Sequence, residues 1–265
     1  MTRSTRRQGA KTGRQKGGPR RGRLVLTRRE LGSRPRAAKT VVISGYTDLD
    51  ANPKSGSSMS LTADFERSAA KSIEASIAVK QTLLRDTALI SSIARVSEVL
   101  FTALKRGNKL LLFGNGGSAA DAQHIAAEFV GRFAFDRPAL PALALSVNTS
   151  CVTAIGNDYG FDQVFSRQLE ALARSGDVAI GLSTSGSSPN VLQGISTAKK
   201  IGLHTVALTG TPGGQLKQAA DVDHCLCAPS SDTPRIQECH ILIGHIVSEL
   251  VEKELFHEQS RVSRS

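Results

Sequence analysis

Tryptophan is absent from this 265-residue sequence, tyrosine occurs twice, and aromatic residues reach only 4%. With 40% hydrophobic residues the chain can still bury a core, but aliphatic and small side chains must fill it. Helices packed on both faces of a parallel sheet suit that composition. No apolar run approaches the roughly 20 residues of a membrane span. No apolar stretch ending in a small-residue cleavage site marks a secretory signal. The expectation is a cytoplasmic protein with no membrane partner. Cysteine is scarce too: Cys151, Cys225, Cys227 and Cys239 include no C-x-x-C pair, and without a secretion signal they do not suggest a disulfide framework. Buried thiols in a reducing compartment are expected.

Acidic residues are nearly missing from the first 58 positions, which hold 3 Asp and Glu against 15 Lys and Arg. Of the chain's 34 basic and 23 acidic residues, positions 59–265 keep 19 and 20, so the net charge of +11 belongs to the N-terminal segment. That segment, rich in Arg, Gly and Ser, has little apolar periodicity and is expected to be a disordered extension. Two readings stay open for it. It could be an arm for nucleic acid or another acidic surface, which the near-neutral remainder does not suit. Alternatively it is inert leader sequence from a misplaced start, since the only methionines are Met1 and Met59 and folded-looking sequence begins at the second.

From Ser60 onward the pattern changes. Apolar positions three and four apart predict helices over 61–77 and 80–106. Short apolar runs at 109–113, 141–146, 177–183, 204–210 and 222–228 predict strands. Helical segments at 118–131, 150–156, 161–174, 188–201 and 233–256 fall between or after them. Alternating apolar strands and helices imply a three-layer α/β sandwich: a central parallel sheet flanked by helices, with further helical segments at its N- and C-terminal ends.

Three groups of residues could carry chemistry. Asn115, Gly116, Gly117 and Ser118 follow a strand and open a helix, where backbone amides face outward and glycine lets a ligand approach. A dinucleotide site would also need an acidic residue at the end of the next strand, but Ser146-Val147-Asn148 stands there, and no Gly-Lys-Ser/Thr follows for a P-loop. No nucleotide cofactor is expected. Ser183, Thr184, Ser185, Ser187 and Ser188 place five hydroxyls in six positions before a helix. One would suffice for an N-cap, so the loop reads as an uncharged phosphate cradle.

The third group is His124 and Glu128, one helical turn apart, with Gln237 and His245 eight apart on the last helix. A carboxylate and a neutral imidazole beside a phosphate site suit proton shuttling next to a carbonyl. The same four groups suit a divalent metal. His240 and His257 read as ordinary core or surface residues.

The segments FGNGGSAADAQHIAAEFVGRF, TAIGNDYGFDQVFSRQ, STSGSSPNV, ALTGTPGG and TPRIQECHILIGH together resemble the phosphoheptose isomerases of the sugar-isomerase (SIS) family, in order and spacing, from Ser60 to about Phe256. The resemblance implies a sugar-isomerase domain over 59–265. It also implies interconversion of sedoheptulose 7-phosphate and D-glycero-D-manno-heptose 7-phosphate, an early step toward ADP-heptose and the heptose of lipopolysaccharide and other surface polysaccharides. By matched position Glu128 and His245 would be catalytic base and acid. Asn115, Gly116, Gly117, Ser118, Glu128, Asn157, Asp158, Ser183, Thr184, Ser185, Ser188 and Gln237 would contact substrate. His124, Glu128, Gln237 and His245 match positions that hold zinc in some relatives, and the family's usual assembly is a homotetramer with sites between subunits. Pro234 stands where some members have Asp, so that contact is not carried over. The alternative on the same fold is a non-catalytic regulator of replication that binds the initiator DnaA. Its pattern lacks the catalytic pair, whereas this chain has both Glu128 and His245.

Overall fold

A computed structural model describes residues 60–256. The expected extension over 1–58, with Met59, and His257 lie outside the described residues. Two helices, α1 (Leu61–Arg85) and α2 (Thr87–Lys105), precede an alternating series. It comprises β1 (Leu110–Gly114), α3 (Gly117–Val130), β2 (Ala142–Ala144), α4 (Thr149–Asp158), a 3-10 turn (Phe161–Gln163), α5 (Ser166–Leu172), β3 (Val178–Ser183) and α6 (Pro189–Ile201). Then follow β4 (His204–Gly210), α7 (Gly214–Gln218), β5 (His224–Ala228) and α8 (Thr233–Leu255). All five strands are parallel, in the order β2-β1-β3-β4-β5.

Strand periodicity divides the core in two. Leu110 and Leu112 face one side with Ile180, Leu208 and Leu226, packed against α2, α3 and α8. Leu111 and Phe113 face the other with Ala179 and Ala207, packed against α5, α6 and Leu216 of α7. Because both faces are covered, β1 and β3 are buried along their whole length, as their unbroken apolar sequences require. The expected three-layer sandwich is the observed one.

Some expectations need correction. The break between the first two helices falls at Asp86, not near 78–79, because the Asp86 carboxylate accepts from the Leu89 amide at 2.9 Å and starts α2. The segment expected as one helix over 161–174 is a 3-10 turn followed by α5, and α7 was not foreseen at all. α2 is 19 residues long, and by length and composition it is apolar enough to cross a membrane. Here it is a core helix, with Leu89, Ile93, Val96, Leu100 and Leu104 buried. Of the four thiols only Cys239 is buried; Cys151, Cys225 and Cys227 are half-exposed.

The strand order decides where a ligand can sit. The chain leaves β1 toward β2 on one side and returns to β3 on the other, so the loops after β1 and β3 diverge. In open parallel sheets that switch point opens a crevice beyond the carboxyl ends of the strands. Both glycine- and serine-rich loops lie there.

Candidate functional site

The crevice is held by a reciprocal amide pair. Asn115, just after β1, donates to the Asn190 side-chain oxygen at 2.9 Å, and Asn190 donates back at 2.8 Å. Asn190, almost fully buried in the first turn of α6, was not picked out from the sequence. A polar residue two positions after the last serine of the loop is the one signal for it.

The serine loop is built for more than capping. Ser188 is the N-cap of α6, yet its side chain caps nothing. Its hydroxyl instead meets that of Ser183 at 2.9 Å, and Ser183 lies 3.4 Å from Ser185, whose Oγ accepts from the Ser187 amide at 3.2 Å. The turn relies on Gly186, at φ +65°, where a side chain would run into the Gly213 carbonyl. The Gly186 carbonyl accepts from the Leu216 amide at 2.9 Å, and that of Thr184 from the Gly210 amide at 3.1 Å. The end of β4 and the segment after it thus clamp the loop at the N-terminus of a 13-residue helix, whose first amides suit an anion.

Beside the other loop, α3 and α8 cross closely. Gly244 permits the approach, since a methyl there would lie 2.5 Å from Ile125. The crossing brings three side chains together. His124 Nε2 is 3.1 Å from a Glu128 carboxylate oxygen and 2.9 Å from His245 Nε2, and His245 Nε2 is 4.0 Å from that oxygen. The two imidazole nitrogens are within hydrogen-bond distance, the tautomers setting which one donates. The donor set of two nitrogens and a carboxylate oxygen, all within 4.8 Å of one another, fits a zinc-like ion. The Gln237 carboxamide lies against Gly117, where only the missing Cβ leaves it room. The Phe133 ring stands 5.8 Å from that of His245.

Asp121, one turn before His124, has a buried carboxylate oxygen with no hydrogen-bond partner. Burial pushes its pKa up to about 6, against the opposing pull of His124. Asn157 and Asp158 stand apart. They are exposed at the end of α4 and hydrogen-bond each other at 2.8 Å, with no hydrogen bond to the serine loop or the histidines among the described residues.

The sheet order and this site define the class, and residues 73–210 match the SIS domain. The chain is 57% identical over 185 residues to a phosphoheptose isomerase of Sulfurimonas denitrificans, covering 69% of this chain and 93% of that one. It is 53% identical over 187 residues to one of Clostridium acetobutylicum, covering 71% and 94%. The solved phosphoheptose isomerase GmhA of Neisseria gonorrhoeae superposes with a TM-score of 0.66 at 41% identity, over 71% of this chain and 99% of that one. That of Francisella tularensis gives 0.67 at 34%, over 74% and 100%. This chain therefore belongs to the phosphoheptose isomerase family of sugar-phosphate isomerases.

Proposed function

We propose that this enzyme interconverts sedoheptulose 7-phosphate and D-glycero-D-manno-heptose 7-phosphate in the cytoplasm, supplying heptose for a surface polysaccharide. The observation that carries the reading is the joint presence, at one sheet crevice, of a hydroxyl-lined helix N-terminus and a converged Glu128–His124–His245 group. The DnaA-binding alternative is not favoured, because that group is complete here.

The phosphate binds Ser183, Thr184, Ser185 and Ser188, and its fixed position sets the open-chain sugar in register. Asn115, Gly116, Gly117, Ser118 and Gln237 line the sugar from the neighbouring loop and from α8. Glu128 removes the C1 proton to give a cis-enediol and returns it at C2, while His245 moves protons between the two oxygens. His124, Glu128 and His245, with Gln237 as a further donor, would hold one zinc ion, whose contribution when bound is Lewis-acid polarisation of the sugar carbonyl.

Asn157 and Asp158 complete the site across a subunit boundary in a homotetramer. Supporting this, Leu61, Phe65, Ile73, Ile77 and Leu84 of α1 are each more than half exposed, and only Leu83 of that helix is buried. α1 is fastened to α8 by polar contacts, among them Lys80 with Glu238 at 3.3 Å and Arg235 with the Ser72 carbonyl. Its apolar positions remain for a second copy of the chain. The test is turnover of sedoheptulose 7-phosphate by the purified protein, with and without chelator, alongside light scattering. Turnover with a four-chain mass is expected; a folded protein without turnover would overturn the assignment.

A further inference from the structure

The two half-exposed thiols of β5 have no part in the chemistry above. Residues two apart on a strand share a face, and the Sγ atoms of Cys225 and Cys227 lie 3.7 Å apart. β5 is an edge strand, and in the parallel register its neighbour Thr209 stands beside Cys227. The Thr209 hydroxyl is 3.1 Å from the Cys227 sulfur and 3.8 Å from that of Cys225. Gly213 closes the other side: a methyl there would lie 3.1 Å from the Cys227 sulfur.

We propose that Cys225 and Cys227 form a second metal site, for one thiophilic divalent cation of the zinc and cadmium class bridging the two sulfurs. Geometry decides between a cation and a disulfide. Two thiolates each about 2.3 Å from a tetrahedral ion stand roughly 3.8 Å apart, so the observed spacing needs no rearrangement. A disulfide needs sulfurs about 2.05 Å apart. The strand rise sets the two Cα atoms about 6.6 Å apart, at the far end of the disulfide range. Closing that gap would buckle β5 away from β4. Hydrogen bonds from Cys225, then Thr209, draw the Cys227 thiol down, while the same pairing pushes Cys225 up. Cys227 is therefore the readier of the two to give up its proton. Binding replaces the protons still held by the two thiols with the cation, releasing them to solvent, and water fills the remaining positions.

The test titrates the full chain with cadmium under reducing conditions and follows sulfur-to-cadmium charge-transfer absorbance. The histidine–carboxylate centre has no sulfur, so its occupancy does not contribute to this band. The band should saturate with no more than two ions per chain, one of them able to enter the histidine–carboxylate centre without adding to it, and zinc should compete it away. Cys225→Ser and Cys227→Ser should each abolish it, and Cys151→Ser and Cys239→Ser should keep it. In the wild type, mass spectrometry should show cadmium protecting both β5 thiols from alkylation, a readout that needs no variant to fold. No band, no protection, or a band surviving in the Cys225→Ser/Cys227→Ser double variant would overturn the proposal. So would a pair that forms a disulfide with peroxide but leaves cadmium unbound.

Discussion

Arg137 donates from Nη2 to the main-chain carbonyl of Glu128 at 2.7 Å. The same guanidinium bonds the carbonyls of Phe129 and Gly131, which helps satisfy the carbonyl end of α3, and that of Pro138 beyond it. Its partner Glu252 takes the Arg137 Nε at 2.8 Å and the amides of Phe133 and Ala134, and both side chains are about 1% exposed. One buried ion pair thus fixes the backbone of Glu128 and of Phe133, whose ring rests near His245.

Removing one member leaves the other charged and buried. Arg137→Met or Glu252→Leu alone should cost about 3–5 kcal/mol of stability. The double variant should regain much of that loss, because no unpaired charge remains. Urea denaturation of the three proteins measures this, and equal, additive losses would show that the pair is not coupled.

Glu128→Gln keeps the volume of the proposed base and removes its function. We expect kcat to fall on the order of 10²–10⁴-fold with fold and assembly intact. Ser185→Ala and Ser188→Ala should instead raise KM more than they lower kcat, because they weaken a phosphate contact distant from the reacting carbons. Steady-state kinetics separate the two. Near-normal kcat in Glu128→Gln, or an unchanged KM in both serine variants, would contradict the assigned roles.

The strands were legible because each is an apolar run between polar or glycine-rich turns, and the register needs nothing beyond parallel pairing. The loops at the switch point were legible for the same reason: each follows a strand and opens a helix. Helix boundaries were less so, since apolar periodicity runs through Asp86, and only its carboxylate on the Leu89 amide marks the break. Asn115 with Asn190, and Arg137 with Glu252, are far apart in sequence and meet through topology alone. The closeness of the Gln237 carboxamide to Gly117 is likewise set by how α3 and α8 cross, which no local pattern in either helix reports.

A chain beginning at Met59 should retain isomerase activity and assembly. Every proposed site residue lies between Asn115 and His245, and the positions removed hold 15 basic residues against 3 acidic. Any salt-sensitive binding to DNA should disappear with them, as the remaining charge is near balance. Kinetics, light scattering and a DNA titration at two salt concentrations compare the two chains. Loss of activity or of the assembly would place residues 1–58 in the enzyme.

His240 sets a pH dependence of stability. It is fully buried on α8, with Nε2 3.1 Å from the Thr209 carbonyl, so the proton sits on Nε2; Nδ1 has no hydrogen-bond partner. Burial holds its pKa down to about 4, against 6.5 for an ordinary histidine. Between these values the unfolded chain binds a proton that the folded chain refuses, so stability rises with pH across the window. The contribution is complete above pH 6.5 and is lost as pH falls toward 4, amounting to roughly 3 kcal/mol. Asp121, its pKa raised to about 6, titrates in the opposite sense over an overlapping range. The His240 contribution must therefore be read as a difference. Relative to His240→Gln, the wild type should lose on the order of 3 kcal/mol between pH 7 and 4 in paired urea denaturations. A wild-type-minus-variant difference that stays constant with pH would show that His240 does not remain neutral in the folded protein.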